Sequence, residues 1–316
     1  MTKSPTAKAH PPMAAPHSDQ RKSFGPEPPA DPGLRGFWHM VARLIRVQNL
    51  GIIVLTQYMA ALFLAGEPPQ WKRYLLDPDL FLISLSTICI AAAGYIINDY
   101  YDVKIDYINK PDKVVIGKGL TRRKAMLAHT ILNFAGVAMA ILVSWQIGLI
   151  HLTSSFLLWL YSNQLKRIAF VGNFTVALLT AASLLVIAVH YPYHPFLITT
   201  YAIYAFSITL VREIIKDLED VRGDRSFGCK TLPIVWGMRK TKSFLYVLCG
   251  LFIFILFYMA SYLQNTVLNI YFLLLIVPIT LFVYKLVYAD TRRAFGTLST
   301  YCKLLMLSGI LSMIFF

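Results

Sequence analysis

The stretch DLFLISLSTICIAAAGYIINDYYDVKID, residues 79–106, joins an apolar segment to an acidic one. From residue 80 to residue 98 it contains no Asp, Glu, Lys or Arg. A segment of this length and polarity predicts a helix that crosses a lipid bilayer. Three carboxylates follow the apolar segment directly, so the membrane-spanning part of the chain and its most reactive side chains meet at one place.

The acidic end of that stretch has a counterpart 118 positions later, because NDYYDVKID at 98–106 aligns with KDLEDVRGD at 216–224. A spacing of three and then four residues places the carboxylates of each set on one face of a helix. Like charges on one face repel, so we expect cations to neutralise each set. The six matched aspartates are Asp99, Asp102 and Asp106 in the first set and Asp217, Asp220 and Asp224 in the second.

The composition around these sets is that of a membrane protein. Hydrophobic residues make up 57% of the chain, charged residues 15%, and the mean hydropathy is +0.57. Lipid offers no hydrogen-bond partner to the backbone, so apolar spans of this kind are helical. The sequence therefore predicts an all-α, polytopic protein. Nine spans are expected, at residues 41–65, 79–98, 125–144, 147–162, 169–190, 196–214, 244–263, 267–287 and 298–316.

The basic residues predict the orientation of these spans. With the N-terminus on the cytoplasmic side, 28 of the 30 Lys and Arg residues fall on inner segments, leaving only Lys72 and Arg73 outside. This is the bias that cytoplasmic loops show. A basic rim beside anionic lipid also accounts for the net charge of +14 without a nucleic-acid partner. Both acidic sets then lie on the inner side, and nine crossings put the C-terminus outside.

Residues 1–35 differ from the rest of the chain. They are rich in Pro, Ala, Ser and Lys and lack apolar periodicity, which predicts a disordered tail ahead of a membrane domain at 36–316. No apolar segment typical of a signal peptide follows the first charges. The cysteines have no metal-site or disulfide spacing and are interpreted chiefly as small core residues. They are Cys89, Cys229, Cys249 and Cys302.

Carboxylate oxygens without Cys or His favour Mg2+, Mn2+ or Ca2+. Mg2+ is commonly held by a few carboxylates while substrate phosphates and water complete its shell. Two acidic sets beside many Lys and Arg therefore predict a diphosphate bound through Mg2+, with one ion at each set. The alternative is that the carboxylates pair with nearby cations on a solvated surface, which suits Asp112, Glu213 and Glu219. The expected metal ligands are Asp99, Asp102, Asp106, Asp220 and Asp224, supported by Asn98 and Asp217.

A diphosphate bound by a membrane protein suggests a prenyl diphosphate, whose tail lies among the helices. Metal-assisted loss of diphosphate would form an allylic cation, which a nucleophile captures once water is excluded. The rival class is a secondary transporter, but transport sites lie near the bilayer midplane, whereas these aspartates follow the apolar spans. A phospho-alcohol transferase is disfavoured because its Asp-Gly-x2-Ala-Arg signature does not occur in the sequence.

The two motifs resemble those of the UbiA-type intramembrane prenyltransferases, NDxxDxxxD and DxxxD. The first is intact from Asn98 to Asp106, and the second runs from Asp220 to Asp224, with Asp217 one turn earlier. The resemblance covers residues 40–316. It implies nine helices around a central cavity, Mg2+ as cofactor, and prenyl transfer to a lipophilic acceptor. The positive-inside pattern and the lack of a signal-peptide pattern suggest a prokaryotic cytoplasmic membrane, with an organelle membrane as the alternative.

Two further elements resemble the family pattern. Arg46 and Asn49 match an Arg-x-x-Asn element, which implies that Asn49 faces the polar cavity, although a bond between helices would also explain this residue. Tyr161 and Lys166 resemble a Tyr–Lys element but are separated by four residues rather than the commoner three. For Lys166, a diphosphate contact and anchoring at the membrane edge remain alternatives.

Three lysines in the loops after the acidic sets are further candidates for substrate contacts. Lys110 and Lys113, in NKPDK after the first set, resemble the family's basic loop, and Lys230 follows the second set in GCKTLP. All three side chains could close over the phosphates, and Lys113 and Lys230 are the expected contacts.

The stretches at 171–181 and 212–234 resemble the digeranylgeranylglyceryl phosphate synthase branch of the family. This resemblance implies that the donor is geranylgeranyl diphosphate and the acceptor geranylgeranylglyceryl phosphate. Aromatic quinone precursors and tetrapyrroles remain alternative acceptors. Arg212, Arg222 and Arg225 could hold a phosphate of either substrate or face water.

Overall fold

The computed structural model describes residues 33–65, 71–192, 194–263 and 265–316. The predicted tail therefore lies outside the described residues except for its last three positions, and the domain boundary at residue 36 stays a prediction. The side chain of Lys113 also lies outside the described part of the chain.

Within those ranges the chain is helical and has no strand, apart from two isolated bridges in loops. The all-α class is confirmed. A π-helical turn, Ala60–Leu64, extends α2, and a 3-10 turn, Ser312–Phe315, follows α12. The helices are α1 Gly33–Leu44, α2 Val47–Met59, α3 Trp71–Leu75, α4 Pro78–Asn109, α5 Arg122–Val143, α6 Trp145–Asn163, α7 Val171–His190, α8 Pro195–Ser226, α9 Leu232–Val235, α10 Gly237–Leu263, α11 Thr266–Val287 and α12 Arg292–Leu311.

Eight helices in the described ranges are long and apolar enough to cross a membrane. The predicted fourth span, 147–162, is helix α6, but this helix is not among the eight. It has 19 residues and includes Gln146, His151 and Ser154, and the polar side chains lower its hydropathy. The ninth crossing and the orientation of the N-terminus are therefore not confirmed.

Helices α4 and α8 extend beyond their predicted spans and carry the acidic sets with them. Each has 32 residues, which corresponds to about 48 Å of helix, against about 30 Å of hydrocarbon in a bilayer. The start of α4 is defined by Asp77, whose side chain accepts from the backbone N–H of Asp79 at 2.9 Å. Both aspartate sets are thus helical, at helix ends that are long enough to leave the hydrocarbon.

The first predicted span, 41–65, is not continuous. Helix α1 ends at Leu44 and α2 begins at Val47, because Arg46 adopts the left-handed conformation with φ 53° and ψ 56°. This conformation is uncommon for a residue with a side chain. The break turns the Arg46 side chain toward α4, where it pairs with Asp99.

The core lies between helices, and much of the outer surface is apolar. The largest buried cluster joins residues of α2, α4, α7, α8 and α11 and includes Leu80, Ile187 and Phe272. Large side chains such as Phe134 on α5 and Val277 on α11 are exposed. Outward-facing apolar side chains are the expected surface of helices that contact lipid.

Candidate active site

The helix ends that carry the two acidic sets are joined directly. Asn109 Nδ2 donates to the carbonyl oxygen of Asp220 at 3.1 Å, and Asn109 Oδ1 accepts from the backbone N–H of Gly223 at 3.0 Å. Glycine is required here because a Cβ on Gly223 would overlap the Asn109 side chain. Arg292, at the start of α12, donates to the Asn109 carbonyl. These three helix ends therefore lie at the same end of the bundle.

Two lysines neutralise one carboxylate of each set. Lys166 Nζ lies 2.6 Å from Asp102 Oδ1 and 3.4 Å from Asn98 Oδ1. Lys110, which directly follows α4, pairs with the second set: its Nζ atom lies 2.6 Å from Asp220 Oδ2 on α8. The Lys166 side chain is 10% exposed. The pairs join residues far apart in sequence and are shielded from water, so they differ from a solvated surface network.

Arg46 supplies a third cation to the first set. Its Nη2 atom donates to Asp99 Oδ1 at 2.8 Å, and its guanidinium lies 4.7 Å from the centroid of the Tyr95 ring. The ion pair and the ring contact hold the side chain in place. The sequence match between Arg46 and the Arg-x-x-Asn element thus coincides with a contact to the acidic set.

Asn49 combines the two roles considered for it. It lines the cavity described below, and its side chain also bonds two other helices. Asn49 Nδ2 donates to the Tyr95 hydroxyl at 3.3 Å, and Asn49 Oδ1 accepts from Lys303 Nζ at 3.0 Å. The residue therefore links α2 to α4 and α12 at the cavity wall.

The remaining aspartates lie around the same helix ends. Asp217 Oδ2 accepts from Asn173 Nδ2 on α7 at 2.9 Å. Asp106 and Asp224 are partly buried at the last turns of α4 and α8. Tyr161 lines the cavity from α6.

Lys230 takes part through its backbone. Its N–H donates to the carbonyl oxygen of Arg167 at 2.8 Å, and Ile168 and Lys230 form an isolated bridge. This contact joins the loop after α8 to the loop after α6, which carries Lys166. The Lys230 side chain is exposed, so the structure places it at the rim and not against an aspartate.

A cavity of about 240 Å3 extends from this end of the bundle between α2, α4, α6, α7, α8 and α12. Arg46, Asn49 and Asn98 line its polar end, and aliphatic side chains line much of the rest. A second cavity, of about 100 Å3, shares Ile52 and Met306 with the first and is almost entirely apolar. The two cavities are therefore adjacent, and the polar end of the first includes Asn98 and Arg46, which contact the first acidic set.

The carboxylates fit a metal that is completed by substrate oxygens. Among the described residues, no three His, Cys, Asp or Glu side chains come together as a metal site. However, Asp220 Oδ1 is buried without a hydrogen-bond partner, while Oδ2 is already bonded to Lys110. A buried acceptor of this kind is satisfied by a cation or by a water molecule, so its chemistry is compatible with a metal ligand. Burial raises the pKa of the nearby Cys229 thiol, which makes this residue a poor metal ligand.

Among the polar residues of the cavity wall, Lys216 and Lys303 were absent from the predicted site, Glu213 was misread, and Arg212 was named only as a possible phosphate contact. Lys303 is a single lysine within the last predicted span, and Arg212 and Lys216 flank the end of the sixth. Glu213, interpreted as a solvated surface carboxylate, is 7% exposed and lines the cavity, so that interpretation is wrong. It does pair with nearby cations, as expected, but inside the protein. The position of Glu213 within the predicted span 196–214 could have indicated that this residue is buried.

The sequence profile of the UbiA prenyltransferase family matches residues 53–304. A digeranylgeranylglyceryl phosphate synthase from Pyrococcus horikoshii is 40% identical over 176 residues, which cover 56% of this chain and 61% of that protein. A protein of the same name from Saccharolobus solfataricus is 31% identical over 274 residues, covering 85% of this chain and 94% of that protein.

The fold also matches a solved structure, that of a UbiA homologue from Archaeoglobus fulgidus bound to GPP and Mg2+. The TM-score is 0.60 over 87% of this chain and 99% of that one, at 15% identity. At this identity the likeness shows the fold alone. The resemblance that the acidic motifs indicated is thus confirmed by sequence and by architecture. The chain belongs to the UbiA prenyltransferase family and is a multi-pass membrane prenyltransferase.

Proposed function

We propose that this protein transfers a geranylgeranyl group from geranylgeranyl diphosphate to the free hydroxyl of geranylgeranylglyceryl phosphate, with Mg2+ as cofactor. The observation that carries the proposal is the polar end of the cavity, where acidic sets on α4 and α8 are joined through Asn109 and Lys110. The names of the relatives support the choice of acceptor.

The donor diphosphate is bound between the two sets. Mg2+ there neutralises the charge of the departing diphosphate. Lys110 and Lys166 each lie 2.6 Å from a carboxylate oxygen of a set, and we propose that both also bind phosphate oxygens of the donor. The proposed Mg2+ ligands are Asp99, Asp102, Asp106, Asp220 and Asp224, with Asn98 and Asp217 as supporting groups.

In the reaction, the bond between the donor C1 carbon and the diphosphate oxygen breaks, which leaves an allylic cation. The acceptor hydroxyl oxygen forms an ether bond to that carbon, and the released diphosphate takes up the hydroxyl proton. Tyr95 and Tyr161 line the cavity. The Tyr95 ring already carries the Arg46 guanidinium, so the Tyr161 ring is the aromatic group proposed to stabilise the cation. Water would capture the cation, so a cavity enclosed by helices favours transfer over hydrolysis.

The prenyl tails lie in the apolar part of the two cavities. The second cavity is lined by Tyr204, Phe252 and Leu256 among others, and its wall is far more apolar than that of the first. A chain of isoprene units gains free energy by leaving water, about 25 cal/mol per Å2 of buried apolar surface. Tail burial therefore directs the diphosphate end toward the aspartates.

We place the acidic end on the cytoplasmic face of the cell membrane. Arg122, Lys166 and Arg292 lie at or beside this end of the bundle, and basic residues accumulate on the cytoplasmic side of membrane proteins.

The test is a transfer assay with purified protein in nanodiscs, radiolabelled geranylgeranyl diphosphate and Mg2+. The acceptors offered are geranylgeranylglyceryl phosphate, 4-hydroxybenzoate, a dihydroxynaphthoate and protohaem, with EDTA and Asp102→Asn as controls. We expect Mg2+-dependent transfer to geranylgeranylglyceryl phosphate, abolished by either control. Transfer to an aromatic or tetrapyrrole acceptor instead would refute the proposed acceptor while leaving the family intact.

A further inference from the structure

A second polar group lies deeper in the cavity than the aspartates. Arg212, Glu213 and Lys216 on α8 and Lys303 on α12 all line the cavity. Arg212 precedes Asp220 by eight residues, which corresponds to about 12 Å of helix. Lys303 bonds Asn49, which bonds Tyr95 on α4, one turn before Asp99. Arg212 is therefore about one to two turns before Asp217 and Asp220 on α8, Lys303 is linked to a residue one turn from Asp99, and Lys216 directly precedes Asp217.

This group carries an excess of positive charge. Glu213 Oε1 accepts from Arg212 Nη1 at 2.6 Å, and Glu213 Oε2 accepts from Lys216 Nζ at 3.4 Å. Lys303 Nζ donates to the amide oxygen of Asn49 at 3.0 Å, so its ammonium also faces the cavity wall. Among the cavity-lining residues that the structure describes, Glu213 is the one carboxylate. Three cations against one carboxylate leave a formal excess of two positive charges.

One donor of the group also lacks a partner. Arg212 Nε is buried without a hydrogen bond to any described residue. Leaving a buried polar group unpaired is unfavourable, and more so when it is charged. Ionisable groups within membrane-spanning helices are costly and mark binding sites for charged ligands. Both observations indicate an anionic ligand that reaches Arg212 in the cavity.

We propose that Arg212, Lys216 and Lys303 bind the phosphate of the acceptor, a phosphate monoester. Glu213 is a positioning residue that holds Arg212 and Lys216 side by side. The inference rests on the proposed function, in which the acceptor is a glyceryl phosphate. A phosphate monoester carries between about −1.5 and −2 charges at neutral pH, which matches the excess of the group.

The position of the group suits this role. Phosphate and reacting hydroxyl belong to the same glycerol unit, so a phosphate held one to two turns from the aspartates leaves the hydroxyl close to the donor carbon. Separate cation sets also allow two anionic substrates to occupy one cavity despite their mutual repulsion. An acceptor without a phosphate would gain nothing from Arg212 or Lys303.

The test compares geranylgeranylglyceryl phosphate with geranylgeranylglycerol, which lacks the phosphate, in Arg212→Gln and Lys303→Gln proteins. Arg239→Gln and Lys240→Gln, which replace exposed residues of α10, are the matched controls. Lys303→Gln leaves both members of the Arg212–Glu213 pair in place, so it remains informative if loss of that pair destabilises the other variant. Melting temperatures in detergent verify that each protein is folded.

We expect each cavity variant to raise KM for the phosphorylated acceptor about tenfold or more, because a charged hydrogen bond is lost. The KM for the donor and the rate with geranylgeranylglycerol should stay within twofold of the wild-type values, and the controls should be unchanged. A rise in the donor KM, or equal losses with both acceptors, would overturn the assignment. If the wild-type protein transfers to neither glycerol derivative, the proposed function itself fails, and the inference with it.

Discussion

Replacing Asp220 by Asn tests the role of the second acidic set. The change keeps the size of the side chain and removes one negative charge. In the structure, Asp220 Oδ2 lies 2.6 Å from Lys110 Nζ, and Oδ1 is buried without a partner. We take the lost interaction to be that between the Asp220 carboxylate and one positive charge of the bound cations. Two unit charges about 4 Å apart at an effective dielectric of about 20 interact with an energy of about 4 kcal/mol. Each 1.4 kcal/mol, roughly, is a factor of ten in rate, so we expect Asp220→Asn to lower the transfer rate about 1,000-fold.

The assay measures the transfer rate at saturating donor and acceptor over a series of Mg2+ concentrations. Asp290→Asn is the matched control, because Asp290 also pairs with a lysine, Lys242 at 2.7 Å, but its side chain is 80% exposed. Exposed ion pairs contribute at most about 1 kcal/mol, so this variant should keep wild-type activity. Wild-type activity of Asp220→Asn at limiting Mg2+ would refute the two-set mechanism. A loss that is identical at every Mg2+ concentration and matched by a fall in melting temperature would indicate a purely structural role.

Three other substitutions test separate parts of the account. Lys166→Gln removes the cation beside Asp102 and should raise the donor KM about tenfold or more without changing the acceptor KM, as steady-state kinetics would show. Gly223→Ala drives a Cβ into the Asn109 side chain and should lower the melting temperature, whereas Gly250→Ala, with open space around its Cβ, should not; equal melting temperatures would contradict the close approach. Gly309→Leu adds a side chain to the wall of the second cavity and should shift the preferred donor from geranylgeranyl to farnesyl or geranyl diphosphate in a competition assay; an unchanged preference would place the tail elsewhere.

The features that local sequence determines were predicted well. Apolar composition located the membrane helices, and the repeated spacing of aspartates identified two acidic helix ends. Both depend on neighbours a few residues apart. The 3.6-residue period fixes which aspartates share a face, and it does so in any tertiary structure.

The features that depend on contacts between residues far apart in sequence were not predicted. The pairing of Lys110 with Asp220 joins residues 110 positions apart and has no local signature. Arg46, at the break between α1 and α2, pairs with Asp99 on another helix, and the apolar pattern of 41–65 gave no local sign of the break. Lys303 lies alone in an apolar segment, and only the packing of α12 beside α2 brings it to the cavity wall.

For Glu213 the predicted ion pairs are correct, but the predicted surface location is wrong. Its neighbours Arg212 and Lys216 predict ion pairs, which the structure contains. On a soluble protein such a triplet lies at the surface, but α8 passes through the bundle interior and turns this face inward. Charged residues within a predicted membrane span therefore indicate a helix face that is turned toward an internal cavity.

The most direct test of the central claim is a structure with a non-reactive geranylgeranyl thiodiphosphate and Mn2+, whose anomalous scattering locates the metal ions. The account predicts one metal peak at the Asp99–Asp102 face and a second at Asp220 and Asp224, with a single diphosphate between them and its tail directed toward the second cavity. A diphosphate bound instead by Arg212 and Lys303, with no metal peak at the aspartates, would contradict it.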